Sequence, residues 1–320
     1  MAKSEKIKDY LIYAFYDRTG VIDFHVIESL KKYNLFFSII FVSNIKIDQN
    51  EIQKINFVEK IIISEHKAMD FGSWKLGLNF LKKKKFENIL LVNDSIIGPV
   101  GGIKNILDTM KHKKCDFWGI TSAGIEKDYH LQSYFLFLKK KCIQSVFFRD
   151  FFSKVKKLKS KSELVKKYEI GFTQGLISNG MNCKALLPNF KRDVHSQEEC
   201  INLFLEKKLP FFKVKNIISN PYRIRGINRI FKLLGSREKY VGYIKRINNN
   251  NSVIHLNFLI PQFKSFLFSK KILLIRSKIV FKNRIWRFYI KLFGVYIFFF
   301  LLPIIKNFNK LYKSDSNYKD

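Results

Sequence analysis

Cysteine, proline and acidic residues are all scarce in this 320-residue chain, which holds 4 Cys, 6 Pro and 26 Asp plus Glu. Cys115, Cys142, Cys183 and Cys200 stand far apart with no CxxC pair. That spacing excludes a disulfide framework and a thiolate zinc cluster, so free thiols in a reducing compartment are expected. An apolar segment of bilayer length is missing as well. Leu292–Ile305 is uncharged but runs only 14 residues, short of the ~20 a spanning helix needs. It suits a buried or interfacial element, with a spanning helix extended back through Phe288 as the alternative. Met1–Asp9 is charged and has no apolar centre, so export is not expected and the chain is placed in the cytoplasm.

What is abundant is basic and apolar. Lys and Arg number 59, the formal charge is +33, and 47% of residues are hydrophobic. The apolar content excludes a disordered chain. Residues 211–320 carry 23 Lys and Arg against Glu238, Asp315 and Asp320 alone. This third of the chain is expected beside something anionic, either a lipid leaflet or nucleic acid; a biased residue composition rich in Lys, Ile, Asn and Phe is the plainer alternative. The chain shows no helix-turn-helix, zinc cluster or RNA-recognition signature, and its basic residues are mostly Lys without a repeated aromatic platform. No nucleic-acid partner is therefore expected.

The length accommodates one α/β core with an appendage, since single cores stop growing near ~250–300 residues. Short apolar runs alternate with helical periods: strands over Tyr10–Tyr16, Phe37–Ser43, Glu59–Ser64 and Glu87–Asn93, and helices over Val21–Tyr33 and Gly72–Leu81. Helices over Ile103–Lys111, Tyr168–Asn179 and His195–Lys208 follow, with strands over Cys115–Thr121, Ser133–Leu138 and Cys183–Leu187. Such a pattern gives an open mixed sheet flanked by helices, with a cleft at the carboxyl edge of its strands. Motifs thin out after Tyr222, which divides the chain into a domain over 1–222 and a basic, partly apolar extension over 223–320. Asn248–Asn251 reads as a loop.

Asp94 ends an apolar strand in Leu90-Leu91-Val92-Asn93-Asp94-Ser95. A carboxylate there can hold a hard divalent cation against diphosphate oxygens; an Asx turn is the alternative. Asp70-Phe71-Gly72 precedes a helix, so Asp70 reads as a cap or a ligand contact, and Gly72 as a point of close backbone approach.

Six ordered segments carry a wider likeness: Tyr16-Asp17 to Tyr33, Asp70-Phe71-Gly72-Ser73-Trp74-Lys75-Leu76-Gly77-Leu78, Val92-Asn93-Asp94-Ser95-Ile96-Ile97-Gly98-Pro99, Asp116-Phe117-Trp118-Gly119, His130-Leu131-Gln132-Ser133-Tyr134-Phe135 and Tyr168-Glu169-Ile170-Gly171. With Leu209-Pro210-Phe211-Phe212-Lys213 and Asn220-Pro221-Tyr222, they resemble the rhamnan synthesis protein F family over about residues 10–222. That family is similar to the GT-A glycosyltransferases. Many of those place a Pro five residues after the second Asp of a DxD motif, as Pro99 follows Asp94. They also place a Gly eleven residues after a catalytic carboxylate, as Gly180 follows Glu169. Val92 replaces the first DxD carboxylate and Tyr168 the first residue of the ED pair, which puts the metal site in question.

The resemblance implies a GT-A-like, nucleotide-sugar-binding fold and transfer of a rhamnose-type sugar, as from dTDP-L-rhamnose, to a lipid-linked glycan of a cell-surface polysaccharide. It implies Glu169 as general base in an inverting displacement; a helix N-terminal acid is the alternative. Ser43, Asn44, Asp70, Gly72, Lys75, Asn93, Asp94 and Ser95 would meet the donor, and Trp118, His130, Gln132 and Tyr134 the acceptor or sugar. Mg²⁺ or Mn²⁺ would sit on Asp94, with His195 completing its shell. A basic tail would hold the enzyme on the inner face of the cytoplasmic membrane; a non-catalytic scaffold of a polysaccharide assembly complex is the alternative.

Overall fold

Every residue of Tyr10–Phe15 (β1) is buried, so this strand has to be covered on both faces. The computed structural model describes residues 9–158, 160–188, 190–235, 238–240, 242, 243, 246, 287–292 and 295–300. In it, β1 lies between Ser38–Ser43 (β2) and Asn88–Asn93 (β4), parallel to both, and Lys60–Ile63 (β3) pairs with β2. Beyond β4 the direction reverses at Phe135–Lys139 (β8), which pairs antiparallel with β4 and with Phe117–Ala123 (β6). His130–Leu131 (β7) and Cys183–Leu187 (β9) both pair with β6, the latter in parallel. The eight-stranded order is β3-β2-β1-β4-β8-β6-β7, with β9 beside β6. This is the open mixed sheet expected from the sequence.

Alternation along the central strands sorts their side chains into two cores. Leu11, Tyr13, Phe15, Phe41, Leu90 and Val92 face one, which the helices Phe24–Asn34 and Ile103–Lys111 cover with Val26, Leu30, Ile106 and Met110. Ile12, Ala14, Ile40, Val42 and Leu91 face the other. There the Met69–Leu81 helix contributes Phe71 and Trp74, Val146–Ser153 contributes Phe148 and Phe152, and Gly171–Ser178 contributes Phe172. Phe71 is the hub of this aromatic packing, with ring centroids 4.8 Å from Trp74, 5.2 Å from Tyr168 and 6.0 Å from Phe151.

Three expected elements take a different form. The Val21–Tyr33 helix begins at Phe24, because Asp23 is extended at the N-cap position. Tyr168–Asn179 is a π-helical stretch over Val165–Ile170 continued by the α-helix Gly171–Ser178. His195–Lys208 breaks in two: Asp193 accepts the His195 N–H and winds Val194–Ser196 into a 3₁₀ turn, and the α-helix proper is Glu199–Leu205.

A two-stranded ribbon, Ile96–Ile97 (β5) with Phe212–Lys213 (β10), brings the distant 210s back against the end of β4. Gly98 makes room for it: at φ +133°, a Cβ there would lie 2.5 Å from the Pro210 carbonyl oxygen. The chain divides into compact units at 1–250 and 251–320. Ile224, Ile230, Tyr240 and Tyr243 are buried in the core of the first unit. In the second unit, Arg287–Leu292 (β11) and Val295–Phe300 (β12) form an antiparallel pair, so these residues are not a spanning helix. No helix among the described residues is long and apolar enough to cross a membrane. Asn248–Asn251 and the remainder of Leu292–Ile305 lie outside the described residues.

Two histidines are enclosed in the first unit with an unpartnered Nδ1 each, His25 and His195. Burial pushes the first down to about 4 and the second to about 3. Both folded values lie below the unfolded ~6.5, so under pH 6.5 the unfolded chain takes up protons that the native one refuses. Stability is expected to fall as pH drops from 6.5 toward 4.5, by about 4 kcal/mol for the pair. Urea midpoints across that range check this, and His195→Asn should show a shallower fall. An equal slope in the wild type and His195→Asn would refute it.

Candidate functional site

Parallel pairing sets the exits of β1, β2 and β4 side by side: Phe15 opposite Ser43, Ala14 opposite Asn93. Polar residues therefore gather at this carboxyl edge. The Tyr16 N–H donates to Asp94 Oδ2 at 2.7 Å, and the Asp94 N–H donates to the Ala14 carbonyl at 3.2 Å. Burial, reinforced by the neighbouring Asp70 charge, holds the Asp94 carboxyl well above the usual carboxylate range. Asn93 Nδ2 donates to Asp70 Oδ2 at 2.7 Å, and Ser95 donates through N–H and Oγ to Asn93 Oδ1. Asp70 lies inside its helix, whose N-cap position is Ala68, so its carboxylate ties the helix to the β4 exit and is not a cap.

Other members of the expected donor set are placed differently. Ser43 is fully buried and its hydroxyl closes a local turn, donating to the Ile45 carbonyl at 2.6 Å. Asn44 stands beside it half-buried, its N–H on the Phe15 carbonyl. A Cβ at Gly72 would meet the His66 ring at 2.6 Å, so the close approach there is to a side chain of this protein. Lys75 Nζ donates to the carbonyls of Ser153 and Val155 at 2.8 and 3.0 Å; it braces two helical segments instead of reaching a phosphate.

The acceptor set also divides. Trp118 is 2% exposed and stacks 5.0 Å from Phe137, making it a core residue without a face for sugar. His130 is half-buried on β7, a ring nitrogen 2.7 Å from the Asp128 carbonyl. Gln132 and Tyr134 belong to a polar network. Thr121 Oγ1 donates to Gln132 Oε1 at 2.6 Å and lies 2.8 Å from Tyr134 Oη, which in turn lies 3.3 Å from His195 Nε2. With the Thr121 proton committed to Gln132, Tyr134 donates to Thr121, which leaves Nε2 as the protonated nitrogen of a neutral His195. His195 is fully enclosed and oriented by Tyr134, which corrects its expected place in a metal shell. Among the described residues no group of three His, Cys, Asp or Glu could hold a metal ion.

Asp193 and Lys213 join this network, and neither is among the residues expected at the site. Gln132 hydrogen-bonds Asp193; although burial opposes it, Lys213, with the Gln132 amide and the His195 backbone N–H, holds the Asp193 carboxyl below its ordinary value. Lys213 Nζ sits 4.6 Å from the Tyr134 ring centroid. Burial lowers its pKa against the opposing charges of Asp193, Glu169 and Asp70, so these four groups share one electrostatic neighbourhood. Glu169 is half-buried in the π-helical stretch, a distortion that recurs at functional sites. Its neighbour Tyr168 is anchored by the Lys156 backbone, accepting from N–H at 2.8 Å and donating to the carbonyl at 2.7 Å. A further cation, Arg246, pairs with Asp17 Oδ2 at 3.1 Å and with Asp23, fastening residue 246 to the β1 exit.

Among curated proteins the chain is 23% identical to the uncharacterized protein y4gN of Sinorhizobium fredii over 186 residues, 56% of this chain and 48% of that one. It is 31% identical to virulence protein VirA of Vibrio anguillarum over 138 residues, 41% of this chain and 42% of that one. The chain thus spans less than half the length of these relatives. Among solved structures, 4-diphosphocytidyl-2C-methyl-D-erythritol synthase from Anaerococcus prevotii is similar at 16% identity and a TM-score of 0.38, covering 59% of this chain and 91% of that one. The rhamnan synthesis protein F family matches residues 39–313, reaching well past the motifs that end at Tyr222. The chain belongs to the rhamnan synthesis protein F family.

Proposed function

We propose that the chain is a glycosyltransferase that moves a hexosyl group, of rhamnose type, from a nucleoside-diphosphate donor to a growing cell-surface polysaccharide. The observation that carries this is the convergence at the carboxyl edge of Asp94, Asn93 and Asp70 with Glu169, Tyr134 and Lys213. Family motifs supply most of these residues, and the fold draws them into one neighbourhood. Phosphates and hydroxyls both find partners there: an ammonium, backbone and amide N–H groups, and carboxylates.

In the proposed reaction the acceptor oxygen attacks the anomeric carbon, the bond from that carbon to the β-phosphate oxygen breaks, and the nucleoside diphosphate leaves with the electron pair. Glu169 takes the acceptor proton. A base on the face opposite the leaving group gives inversion in one displacement. Asp94 and Asn93 orient the donor through the β4 exit. The expected divalent cation does not fit the residues present, because Asp94 stands without a second carboxylate in a DxD position and His195 is committed to Tyr134; no step is routed through it. A lipid-linked acceptor and an anionic leaflet are the partners proposed with this activity, supported by the charge excess of residues 211–320.

A thermal-shift screen of nucleotide sugars tests the reading. A true donor at a hundred times its Kd is expected to stabilise the protein by about 2.7 kcal/mol, with dTDP-linked deoxyhexoses among the strongest. No shift with any nucleotide or nucleotide sugar would overturn it.

A further inference from the structure

A nucleoside diphosphate adds at least two negative charges to an edge that already holds Asp70, Asp94, Glu169 and Asp193. In water-poor surroundings such charges need a partner. Three other described cations are engaged elsewhere. Lys75 is held by two carbonyls, Lys215 donates to Tyr222 Oη at 2.7 Å, and Arg246 is paired with Asp17 and Asp23. Lys213 differs from all three. It is half-buried, and no described carboxylate oxygen lies within 4.0 Å of its ammonium.

We propose that Lys213 is the diphosphate-binding cation of this site, occupying the role that a divalent metal ion would otherwise fill. The inference rests on the glycosyltransferase reading above. Its basis is the ribbon: Lys213 pairs with Ile96, and the Val214 N–H donates to the Ser95 carbonyl at 2.9 Å. The lysine backbone is thereby stitched to the two residues that follow Asp94. The side chain then lies over the Tyr134 ring, an arrangement that fixes a cation without neutralising it. Burial disfavours its charge, and Asp193, Glu169 and Asp70 at longer range oppose that effect without occupying its N–H donors. Holding an unpaired, half-buried ammonium is unfavourable for the unliganded fold, and a ligand oxyanion relieves that cost. As the bond from the anomeric carbon to oxygen breaks, charge accumulates on the leaving β-phosphate, and a fixed ammonium there stabilises the transition state more than the ground state. The proton balance is unaffected: Glu169 receives the acceptor proton and Lys213 keeps its own.

Isothermal titration of UDP and dTDP, and of uridine and thymidine as phosphate-free controls, separates the outcomes. It is run on the wild type, Lys213→Met and Lys213→Arg, each in EDTA and in MgCl₂. The wild type is expected to bind a diphosphate in EDTA with a Kd within about threefold of that in MgCl₂. Lys213→Met is expected to weaken diphosphate binding about 10- to 100-fold and leave nucleoside binding unchanged. Lys213→Arg keeps the charge and is expected to retain most of the affinity, which also covers the case in which the methionine variant fails to fold. Wild-type diphosphate affinity in Lys213→Met, or diphosphate binding that requires Mg²⁺, overturns the role of Lys213 and leaves the glycosyltransferase reading standing. If the wild type binds none of the four ligands and no nucleotide or nucleotide sugar shifts its melting, both fall.

Discussion

Sugar transfer by Glu169→Gln is expected to fall about 100- to 10,000-fold, the range for loss of a general base, while nucleotide affinity changes far less and the melting temperature stays near the wild-type value. The split follows from where the residue sits. Glu169 is half-buried and its side chain makes no hydrogen bond among the described residues, so the isosteric amide breaks no such bond in the fold. What it loses is a lone pair able to accept the acceptor proton. Single-turnover rates with a donor identified in the thermal screen give the measurement. Turnover like that of the wild type would remove Glu169 from the mechanism, and a matching loss of nucleotide affinity would make it a donor contact.

Phe71→Ala should cost about 3–5 kcal/mol of stability, the usual loss for truncating a large buried aromatic and a sizeable part of the ~5–15 kcal/mol that holds a domain together. Phe71 is 1% exposed and its ring meets Trp74, Phe151, Phe152, Tyr168 and Phe172. Those rings come from three helical segments and the π-helical stretch, so a cavity at the hub loosens all of them against the sheet. Phe71→Leu, which fills more of the space, is expected to lose less. Urea unfolding midpoints decide it: a cost under about 1 kcal/mol would mean that the neighbouring rings collapse into the gap. Tyr168 leans on Phe71 and adjoins Glu169, so the alanine variant is also expected to lose activity at temperatures where it remains folded.

Legibility in the sequence follows the range of the interactions. β1, β2 and β4 are readable as unbroken apolar runs because strands covered on both faces need nothing else. The Ile103–Lys111 helix and the Cys183–Leu187 strand are found at their expected limits, since amphipathic periodicity and a following Pro188 mark them locally. The π-helical stretch is not readable, because no residue type distinguishes an i→i+5 turn from an α-turn. Asp193 escapes notice for a related reason: its side chain ends a turn two residues on, where composition suggests a helix. Trp118 and Tyr134 are both aromatics in motif segments. Their separation into core packing and site network depends on what lies opposite each, Phe137 for one and Lys213 for the other. Lys213 itself stands within the motif Leu209–Lys213, yet its part emerges only when β10 pairs with β5.

That pairing has a bearing on how the protein comes into being. β5 and Asp94 leave the ribosome long before Phe212 and Lys213, with a stretch of chain as long as a small domain between them. At about 5–20 residues per second, the nascent β1 to β4 layer spends several seconds with its carboxyl edge uncovered and its acidic residues without Lys213. The lysine thus arrives as a late keystone: binding competence is acquired only once residue 213 has emerged, and products truncated ahead of it carry the acidic half of the site without its cation.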